Sequence, residues 1–314
     1  MNDQTGTHDT EAHEALLAGA ARVAELETLR SSGALGRWHA CQSAAANYHA
    51  PHVAIAATFW GGAMEVDIRE TVSSEIFIHG VYEVELSAFF HRYLKPGQTF
   101  VDVGAHFGYF SLLAAHRVGE TGRVVSIEPS ERTSWRLYNN LKSRRQVTVH
   151  QVAAWEKEAT LTLQDYGPLY SAFNSIGERR LHESAPFVKA TPFQVRAVAL
   201  DEFFGEIGIV PDVIKIDAES AELQVLGGLN RTLTERRPVV TIEVGDYSHL
   251  VERGVPTSAQ VLRAISAYDY VHFSPTLEGV TAHGVRDDAE YAYGNIVAVP
   301  REKSEEFAKG GWLH

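Results

Sequence analysis

The sequence predicts an α/β protein in which a largely parallel sheet has helices on both faces and follows an N-terminal helical extension. Three observations support this fold class. After Lys95-Pro96-Gly97, strand-like and helix-like segments alternate along the chain. The strand-like segments are short, continuous apolar runs, as expected when both faces of a parallel sheet are covered. The preceding residues follow a different pattern, which begins with a helical run.

The first 70 residues are predicted to form an extension. Residues 11–29 are rich in Ala, Leu and Glu with apolar residues at helical spacing, and a second helical stretch runs through Ala46. Alternating apolar residues on either side of Gly61-Gly62 predict a β-hairpin. We therefore divide the chain into an extension over 1–70 and a second domain over 71–314. The extension is expected to cover part of the core, to act as a lid or to form a homodimer contact.

The elements after residue 95 follow in the order of a sheet covered on both faces. Thr99–Val103 is a strand that leads through a glycine loop into a helix, and Val124–Ile127 leads into a helix from Glu131. Ligands on such sheets bind at the carboxyl ends of the strands, so functional residues are expected there. The other expected strands are Val147–Val149, Phe193–Leu200, Val213–Ile216, Val239–Val244 and Ile296–Val299, with helices at Tyr109–Arg117, Glu131–Lys142 and near 220–229 and 257–267.

The composition restricts the classes of function. The 314-residue chain is 45% hydrophobic and 10% aromatic, which allows a large core and is incompatible with disorder along the whole chain. Its net charge is −12, from 28 Lys and Arg against 40 Asp and Glu. This balance disfavours a nucleic-acid partner, which needs a basic face to displace counterions.

Cysteine usage and hydropathy indicate the compartment. Cys41 is the single cysteine, so neither an intramolecular disulfide nor a thiolate metal cluster is expected. The first residues are polar and acidic, whereas a secretory signal has a basic region and an apolar run. No segment approaches the ~20 apolar residues of a membrane span. We therefore expect a cytoplasmic protein without a membrane partner.

The glycine loop after Thr99–Val103 points to a nucleoside ligand. Its spacing, Asp102-x-Gly104-x-x-x-Gly108, departs from G-x-G-x-x-G, because His106 stands where the middle glycine approaches a pyrophosphate. Glu128 ends the next strand, where a carboxylate can accept hydrogen bonds from both hydroxyls of a ribose. S-adenosylmethionine (SAM) is a nucleoside of this kind. An NAD-dependent oxidoreductase is disfavoured but stays an alternative.

The segment from Ser74 to Val299 resembles the FkbM family of SAM-dependent methyltransferases. The strongest motif is Val213-Ile-Lys-Ile-Asp-Ala-Glu-Ser-Ala-Glu, a strand followed by an acidic pair, which continues to Gly228. Ser220 departs from the pattern, since the family usually has glycine there. The other matching segments are Gly80–Glu83, Phe100–Phe110, Ile127–Pro129, Ala153–Ala154, Ser171–Ser175 and Asp201–Phe203.

The resemblance implies a class I methyltransferase fold, a Rossmann-like and mostly parallel sheet of seven strands whose last strand is antiparallel and inserted beside its neighbours. It also implies that SAM is the cofactor of the domain over 71–314. The residues expected to contact the cofactor are Tyr82, Glu83, Asp102, Gly104, Ala105, His106, Gly108, Glu128, Pro129, Ser130, Ala153 and Asp217.

Candidate catalytic residues lie at and beyond the ends of two later strands. Transfer of the activated methyl of SAM requires an oriented acceptor, and a hydroxyl acceptor also needs a base to remove its proton. Asp217 is the first candidate base, and Glu219, Glu243 and His249 are the alternates. Asn174 and Lys215 are expected to contact the substrate. The predicted function is O-methylation of a hydroxyl on a small natural product or sugar-containing metabolite.

Three alternatives stay open beside this prediction. Carboxylates at adjacent strand ends suit Mg²⁺, although no metal is expected, because the resemblance implies none and the sequence shows no complete ligand set. In a second alternative, the atom that accepts the methyl group is a nitrogen or a carboxylate oxygen. In the third, the chain is a catalytically inactive SAM-binding scaffold that assembles through its N-terminal extension.

Overall fold

The strands of the computed structural model form a hairpin, a large central sheet and a smaller sheet. The structure describes residues 10–21, 24, 52–176, 188–287 and 290–310. Numbered along the chain, its strands are β1 Val53–Ala57, β2 Ala63–Asp67, β3 Thr99–Val103, β4 Arg123–Ile127, β5 Val147–His150, β6 Ala153–Trp155, β7 Ala159–Asp165, β8 Ser175–Ile176, β9 Thr191–Ala199, β10 Val213–Ile216, β11 Val239–Val244, β12 Tyr270–Pro275, β13 Val280–His283 and β14 Gly294–Pro300.

The central sheet has the order β13-β12-β14-β11-β10-β3-β4-β5. The five strands from β11 to β5 are parallel, and β14 is inserted antiparallel between β11 and β12. The predicted α/β class and the inserted antiparallel strand are therefore confirmed. The sheet has eight strands rather than seven, because β13 pairs antiparallel with β12 at the edge.

A smaller sheet of order β6-β9-β7-β8 lies between β5 and β10 in the sequence. The run that was predicted as the strand Phe193–Leu200 forms β9 here instead of a strand of the central sheet. Its partner β7 pairs with it along seven positions, from Ala159 with Ala197 to Asp165 with Thr191. A strand prediction from local pattern does not specify the partner, and this pairing is set by contacts distant in sequence.

The helices connect the strands and cover the sheet. Glu70 begins the helix Thr71–His79 by accepting hydrogen bonds from Val72 N and Ser73 N. None of the helices in the described part of the chain is both long and apolar enough to cross a membrane. The α-helices among the described residues are 10–21, Thr71–His79, Val84–Tyr93, Tyr109–Val118, Glu131–Leu141, Leu200–Ile207, Glu222–Gly227, Ser248–Val251, Ser258–Ser266 and Ser304–Ala308.

The core occupies both faces of the central sheet, and strands β10 and β11 are buried at every position. One hydrophobic cluster contains Phe90, Phe100 and Leu113, and a second contains Ile214 and Ile242. Adjacent positions on a strand point to opposite faces. The continuous apolar runs of the central strands thus result from burial on two sides.

The predicted hairpin around Gly61-Gly62 is confirmed, with β1 and β2 antiparallel. Met64 and Val66 of β2 belong to the same hydrophobic cluster as Phe100 of β3. Within the first 50 residues, a helix covers 10–21, and its Leu16 is buried. The second helical stretch predicted through Ala46 lies outside the described residues. The division of the chain at residue 70 stays a prediction.

Candidate functional site

A cavity with an empty volume of about 1020 Å³ lies at the carboxyl ends of β3, β4, β10 and β11. We call it the central cavity. Its walls include the glycine loop from Gly104 to Phe107, Glu128 after β4, Asp217 after β10 and Glu243 near the end of β11. The four strand ends meet because the strands are parallel neighbours, which is the arrangement expected of a ligand site in this fold class.

The glycine loop packs directly against the end of β10. Gly104 has a φ of 75°, and a Cβ added to it would lie 1.7 Å from the carbonyl oxygen of Asp217. Only glycine fits this approach. Gly108 begins the helix Tyr109–Val118 with a φ of 94°, and a Cβ there would lie 2.7 Å from Leu137 Cδ1. The two glycines therefore permit the turn and its close packing.

Glu128 holds the loop from the next strand end. Its Oε1 accepts a hydrogen bond from Ser130 N at 2.9 Å, and its Oε2 accepts one from His106 N at 3.0 Å. Burial raises the pKa of Glu128 to about 7 against the opposing effect of these two hydrogen bonds. An ionised carboxylate has about four acceptor sites, so both oxygens retain capacity for a ligand's hydroxyls.

His106 has a left-handed backbone with a φ of 48°, and its ring Nε2 lies 2.9 Å from Ser171 Oγ. Burial lowers the pKa of His106 to about 3, so the ring is neutral at physiological pH. Its ring also lies against Phe107, with centroids 3.8 Å apart. The side chain that replaces the middle glycine of a dinucleotide loop thus forms part of the cavity wall.

Asp102 lies behind the loop and does not line the central cavity. Its Oδ2 accepts a hydrogen bond from Ser111 Oγ at 2.6 Å, and Ser111 Oγ also lies 2.7 Å from Ser126 Oγ. Lys215 is the register partner of Asp102 across β3 and β10. Burial raises the pKa of Asp102, while the Lys215 charge opposes that shift. Asp102 therefore contributes to the charge balance beneath the site.

Lys215 is the buried cation of the site, with 2% of its side chain exposed. Its Nζ lies 2.8 Å from Asp217 Oδ2 and 5.1 Å from the centroid of the Phe110 ring. Burial opposes its charge, but Asp217, Asp102 and Glu83 together raise the pKa of Lys215. A buried ammonium with such partners stays charged.

Three carboxylates converge beside Lys215. One oxygen from each of Asp217, Glu219 and Glu243 lies within 4.8 Å of the other two, so this cluster has the geometry to hold a cation. Glu219 and Ser220 form the turn after β10 with φ angles of 51° and 80°. Ser220 thus adopts a left-handed conformation, which glycine takes most readily, at the position where the resemblance leads us to expect glycine.

Two tyrosines and Glu83 border the outer side of the central cavity. Tyr293 donates a hydrogen bond to Glu83 Oε1 at 2.7 Å, and the hydroxyl oxygens of Tyr82 and Tyr293 are 3.4 Å apart. Burial raises the pKa of Glu83, the Lys215 charge opposes this shift, and Asp217 adds repulsion. Tyr82 and Tyr293 line the central cavity, whereas Glu83 lines a second cavity outside it.

The second cavity, which we call the outer cavity, has an empty volume of about 2210 Å³. It shares Tyr82, Glu219, Glu243 and Tyr293 with the central cavity. A ligand in the outer cavity would therefore have access to Glu219 and Glu243 of the carboxylate cluster.

Most sequence-predicted site residues line the central cavity, and five do not, of which Glu83 lines the outer cavity instead. Gly108 and Ser130 begin helices, with Ser130 Oγ accepting a hydrogen bond from Thr133 N. His249 lines neither cavity, and Asp102 lies behind the loop. The predicted residues that line the central cavity are Tyr82, Gly104, Ala105, His106, Glu128, Pro129, Ala153, Asn174, Lys215, Asp217, Glu219 and Glu243.

Sequence reasoning missed several residues of the cavity wall. Met64 of the hairpin and Val72 and Ile76 of the following helix line it, although they precede the glycine loop. Tyr293 comes from the segment before β14 and carries no recognisable motif. Ser171 lies in the motif that contains Asn174, so that motif was the available signal for its position beside His106.

Comparisons with known proteins identify the family of this chain. Residues 102–271 match the model of the methyltransferase FkbM domain, which is more than half of the chain. The chain is 30% identical over 216 residues to the AMB antimetabolite synthetase AmbE of Pseudomonas aeruginosa, covering 58% of this chain and 10% of that protein. It is 27% identical over 192 residues to Methyltransferase 1 of Beauveria bassiana, covering 56% of this chain and 74% of that protein.

Solved structures give two further similarities. Methyltransferase FkbM from Methylobacillus flagellatus matches with a TM-score of 0.41 and 18% identity, over 67% of this chain and 49% of that chain. Fibrillarin from Aeropyrum pernix, solved with natively bound SAM, matches with a TM-score of 0.40 and 12% identity, over 79% and 94% of the two chains. Because the FkbM domain model covers the strand ends that build the central cavity, the chain belongs to the FkbM methyltransferase family.

Proposed function

We propose that this protein is a SAM-dependent O-methyltransferase that modifies a hydroxyl on a small natural product or sugar-containing metabolite. One observation carries the proposal. A single cavity joins a ribose-binding carboxylate, Glu128, to a carboxylate cluster that includes a candidate base, Asp217. The proposal also includes a cytoplasmic location, no nucleic-acid partner and a homodimer contact through the N-terminal extension.

The central cavity fits SAM by the chemistry of its walls. Glu128 suits the two ribose hydroxyls, and Ile127, Pro129 and Ala154 provide an apolar lining for the adenine. The buried Nδ2 of Asn174 donates no hydrogen bond to a described residue, whereas its Oδ1 accepts a hydrogen bond from Tyr166 N at 2.9 Å. That Nδ2 is a donor suited to the substrate, which is the role predicted for Asn174 from the sequence. Glu83 would face the methionine amino group.

When bound, SAM supplies a methyl group on a positively charged sulfur and leaves as S-adenosylhomocysteine. Asp217 would accept the proton that the acceptor hydroxyl loses, a contribution typically of ~10²–10⁴-fold. Lys215 fixes the Asp217 carboxylate through the 2.8 Å contact with Oδ2. Tyr82 and Tyr293 cover the outer side of the cavity and would exclude water from the acceptor.

Substitution of Asp217 by Asn tests the assigned base. We expect Asp217→Asn to abolish methyl transfer while SAM affinity, measured by calorimetry, stays within a few-fold of the unaltered protein. Glu206→Gln, which changes an exposed carboxylate, serves as the control. Full activity of the Asp217→Asn variant would exclude Asp217 as the base and favour Glu219 or Glu243. His249, which lines neither cavity, stays the weakest alternate.

Identification of the acceptor completes the test. Host cells with and without the gene are fed methyl-labelled methionine, and their metabolites are compared for a labelled methyl ether. A labelled N-methyl or methyl ester product would contradict the assignment to oxygen. Stoichiometric SAM binding without turnover on any extract would instead favour the inactive scaffold.

The carboxylate cluster supports one variant of this function, in which a divalent cation assists. The ligand oxygens of Asp217, Glu219 and Glu243 lie within 4.8 Å of one another, and hard cations favour such ligands. Loss of transfer in EDTA and recovery with Mg²⁺ would establish this variant. Lys215 already neutralises part of the charge on Asp217, so we expect transfer to continue in EDTA.

A further inference from the structure

The N-terminal helix 10–21 packs one face against the core of the protein. Its Leu16 is 1% exposed and belongs to the hydrophobic cluster that contains Phe100 of the central sheet. Gly19 lies against Val81, since a Cβ added to Gly19 would be 2.5 Å from Val81 Cγ1. Burial of apolar surface of this kind holds the helix in place.

Arg92 joins the same helix to the turn that follows β12. Its Nη2 lies 3.1 Å from His13 Nδ1 of the helix 10–21. Its Nη1 donates a hydrogen bond to the carbonyl oxygen of Leu277. Because Arg92 itself belongs to the helix Val84–Tyr93, three segments that are distant in sequence meet at this guanidinium.

The N-terminal region also supplies part of the wall of the outer cavity. Ala20 and Ala24 line this cavity. Val81, which contacts the helix 10–21, and Leu277, which is joined to it through Arg92, line the same cavity. The contacts that hold the helix therefore lie beside the outer cavity, and the helix forms a wall of it.

This wall of the outer cavity is apolar. Val81, Val84 and Leu86 line the cavity and belong to the hydrophobic cluster of Leu16, and Ala20 packs against that cluster. The five glutamates that also line the cavity come from segments other than the helix 10–21. A ligand that places apolar surface against this wall removes that surface from water, which is favourable.

The apolar wall is continuous with the central cavity. Val81 is followed directly by Tyr82, which lines both cavities, as does Tyr293. The outer cavity has an empty volume of about 2210 Å³, which exceeds the ~300–1,000 Å³ of typical small-molecule pockets. An acceptor whose reacting group lies in the central cavity can therefore extend past Tyr82 toward the N-terminal helix.

We propose that the helix 10–21 is a wall of the acceptor site, and that the methyl acceptor carries an uncharged hydrocarbon segment that packs against Ala20, Ala24 and Leu277. This inference rests on the proposed function, because it assigns the outer cavity to the acceptor. It narrows the acceptors to those with an apolar segment beyond the reacting group, and it gives the N-terminal extension a role in substrate recognition.

A series of straight-chain alcohols tests for the apolar wall. Binding of 1-butanol, 1-hexanol and 1-octanol to the full chain, saturated with S-adenosylhomocysteine at neutral pH, is measured by ligand-observed NMR. We expect the affinity to rise about fourfold with each added methylene, because each one is buried from water. An affinity that does not depend on chain length, or no detectable binding of octanol, would overturn the inference.

Two matched variants of the helix assign this binding to one face. Ala20 is half-buried and lines the cavity, whereas Ala18 is exposed. We expect Ala20→Asp to weaken octanol binding about tenfold, because the chain would have to desolvate a carboxylate, and to leave butanol binding unchanged. Ala18→Asp should bind both alcohols like the unaltered protein. Equal octanol affinities in two variants that both fold would refute the assigned wall.

Photolabelling locates the probe in the unaltered protein and decides the matter even if Ala20→Asp does not fold. A diazirine-containing octanol is irradiated with the full chain, and the labelled tryptic peptides are identified by mass spectrometry. We expect the label in the peptides that contain Ala20 and Ala24, and we expect excess octanol to suppress it. A label found only in other peptides would overturn the inference.

Calorimetry of S-adenosylhomocysteine is the separate test of the proposed function. If the chain binds no S-adenosylhomocysteine, while octanol still binds and labels the peptides of Ala20 and Ala24 in the cofactor-free protein, only the methyltransferase function is refuted. If S-adenosylhomocysteine binds and octanol does not, the apolar acceptor site is refuted and the function is retained.

Discussion

Replacement of Asn140 by alanine should loosen the attachment of the N-terminal hairpin to the glycine loop. Asn140 Oδ1 accepts a hydrogen bond from Glu65 N at 2.9 Å, and its Nδ2 donates to Glu65 O at 3.1 Å and to Phe107 O at 2.9 Å. At ~1 kcal/mol net for each hydrogen bond, the loss is about 3 kcal/mol of unfolding free energy. For a chain of 314 residues, that corresponds to a fall in Tm of about 4–5 °C.

The neighbouring Asn139 provides a matched control, because its side chain accepts a single exposed hydrogen bond from Lys142 Nζ. We expect Asn139→Ala to change the unfolding free energy by less than ~0.5 kcal/mol. Urea denaturation followed by circular dichroism measures both variants. Because Met64 and Phe107 line the central cavity, Asn140→Ala should also weaken S-adenosylhomocysteine binding. Equal urea midpoints for the two variants would refute the assigned bridge between hairpin and loop.

Three further predictions follow from single residues. Burial raises the pKa of Glu128 to about 7, and only the ionised carboxylate accepts hydrogen bonds from both ribose hydroxyls. The affinity for S-adenosylhomocysteine, measured by calorimetry, should therefore rise from pH 6 to pH 8. The substitution Glu128→Gln should remove this rise. Gly104→Ala should lower the free energy of unfolding, measured by urea denaturation, by more than ~3 kcal/mol, because its Cβ would lie 1.7 Å from a backbone oxygen. Gly205 has open space around it, so Gly205→Ala should leave the free energy of unfolding unchanged or raise it. Burial lowers the pKa of His272 to about 4. As the pH falls from 6.5 to 4, the unfolded chain therefore binds a proton that the folded chain does not, and the free energy of unfolding decreases. His272→Phe should reduce that fall, and an unchanged urea-midpoint profile across this range would contradict the assignment.

Much of the central sheet was predictable from local sequence. The runs at Thr99–Val103, Val213–Ile216 and Val239–Val244 form strands with those bounds, because apolar runs of this length are buried on both faces. The glycine loop and Glu128 were also recognisable, since both immediately follow a strand. Ser220 departs from the family pattern at a position that proves to be left-handed.

Other features depend on contacts between distant segments. The run Thr191–Ala199 is a strand by its pattern, but its place in the smaller sheet is set by β7 and β6. Likewise, Asp102 belongs to the glycine-loop motif, yet its side chain points beneath the site toward Ser111. Motif membership does not distinguish a residue that lines the cavity from one that supports it.

The sequence alone determined the fold class, the family resemblance and the strand ends at which the site lies, because these follow from local periodicity and motif spacing. The tertiary structure decided which side chains meet there. It brought Glu83, Tyr293 and the carboxylates after β10 and near the end of β11 to one wall, and it added Met64 of the hairpin to the central cavity. Such convergence depends on strand order and on packing between segments up to about two hundred residues apart, which no local pattern encodes.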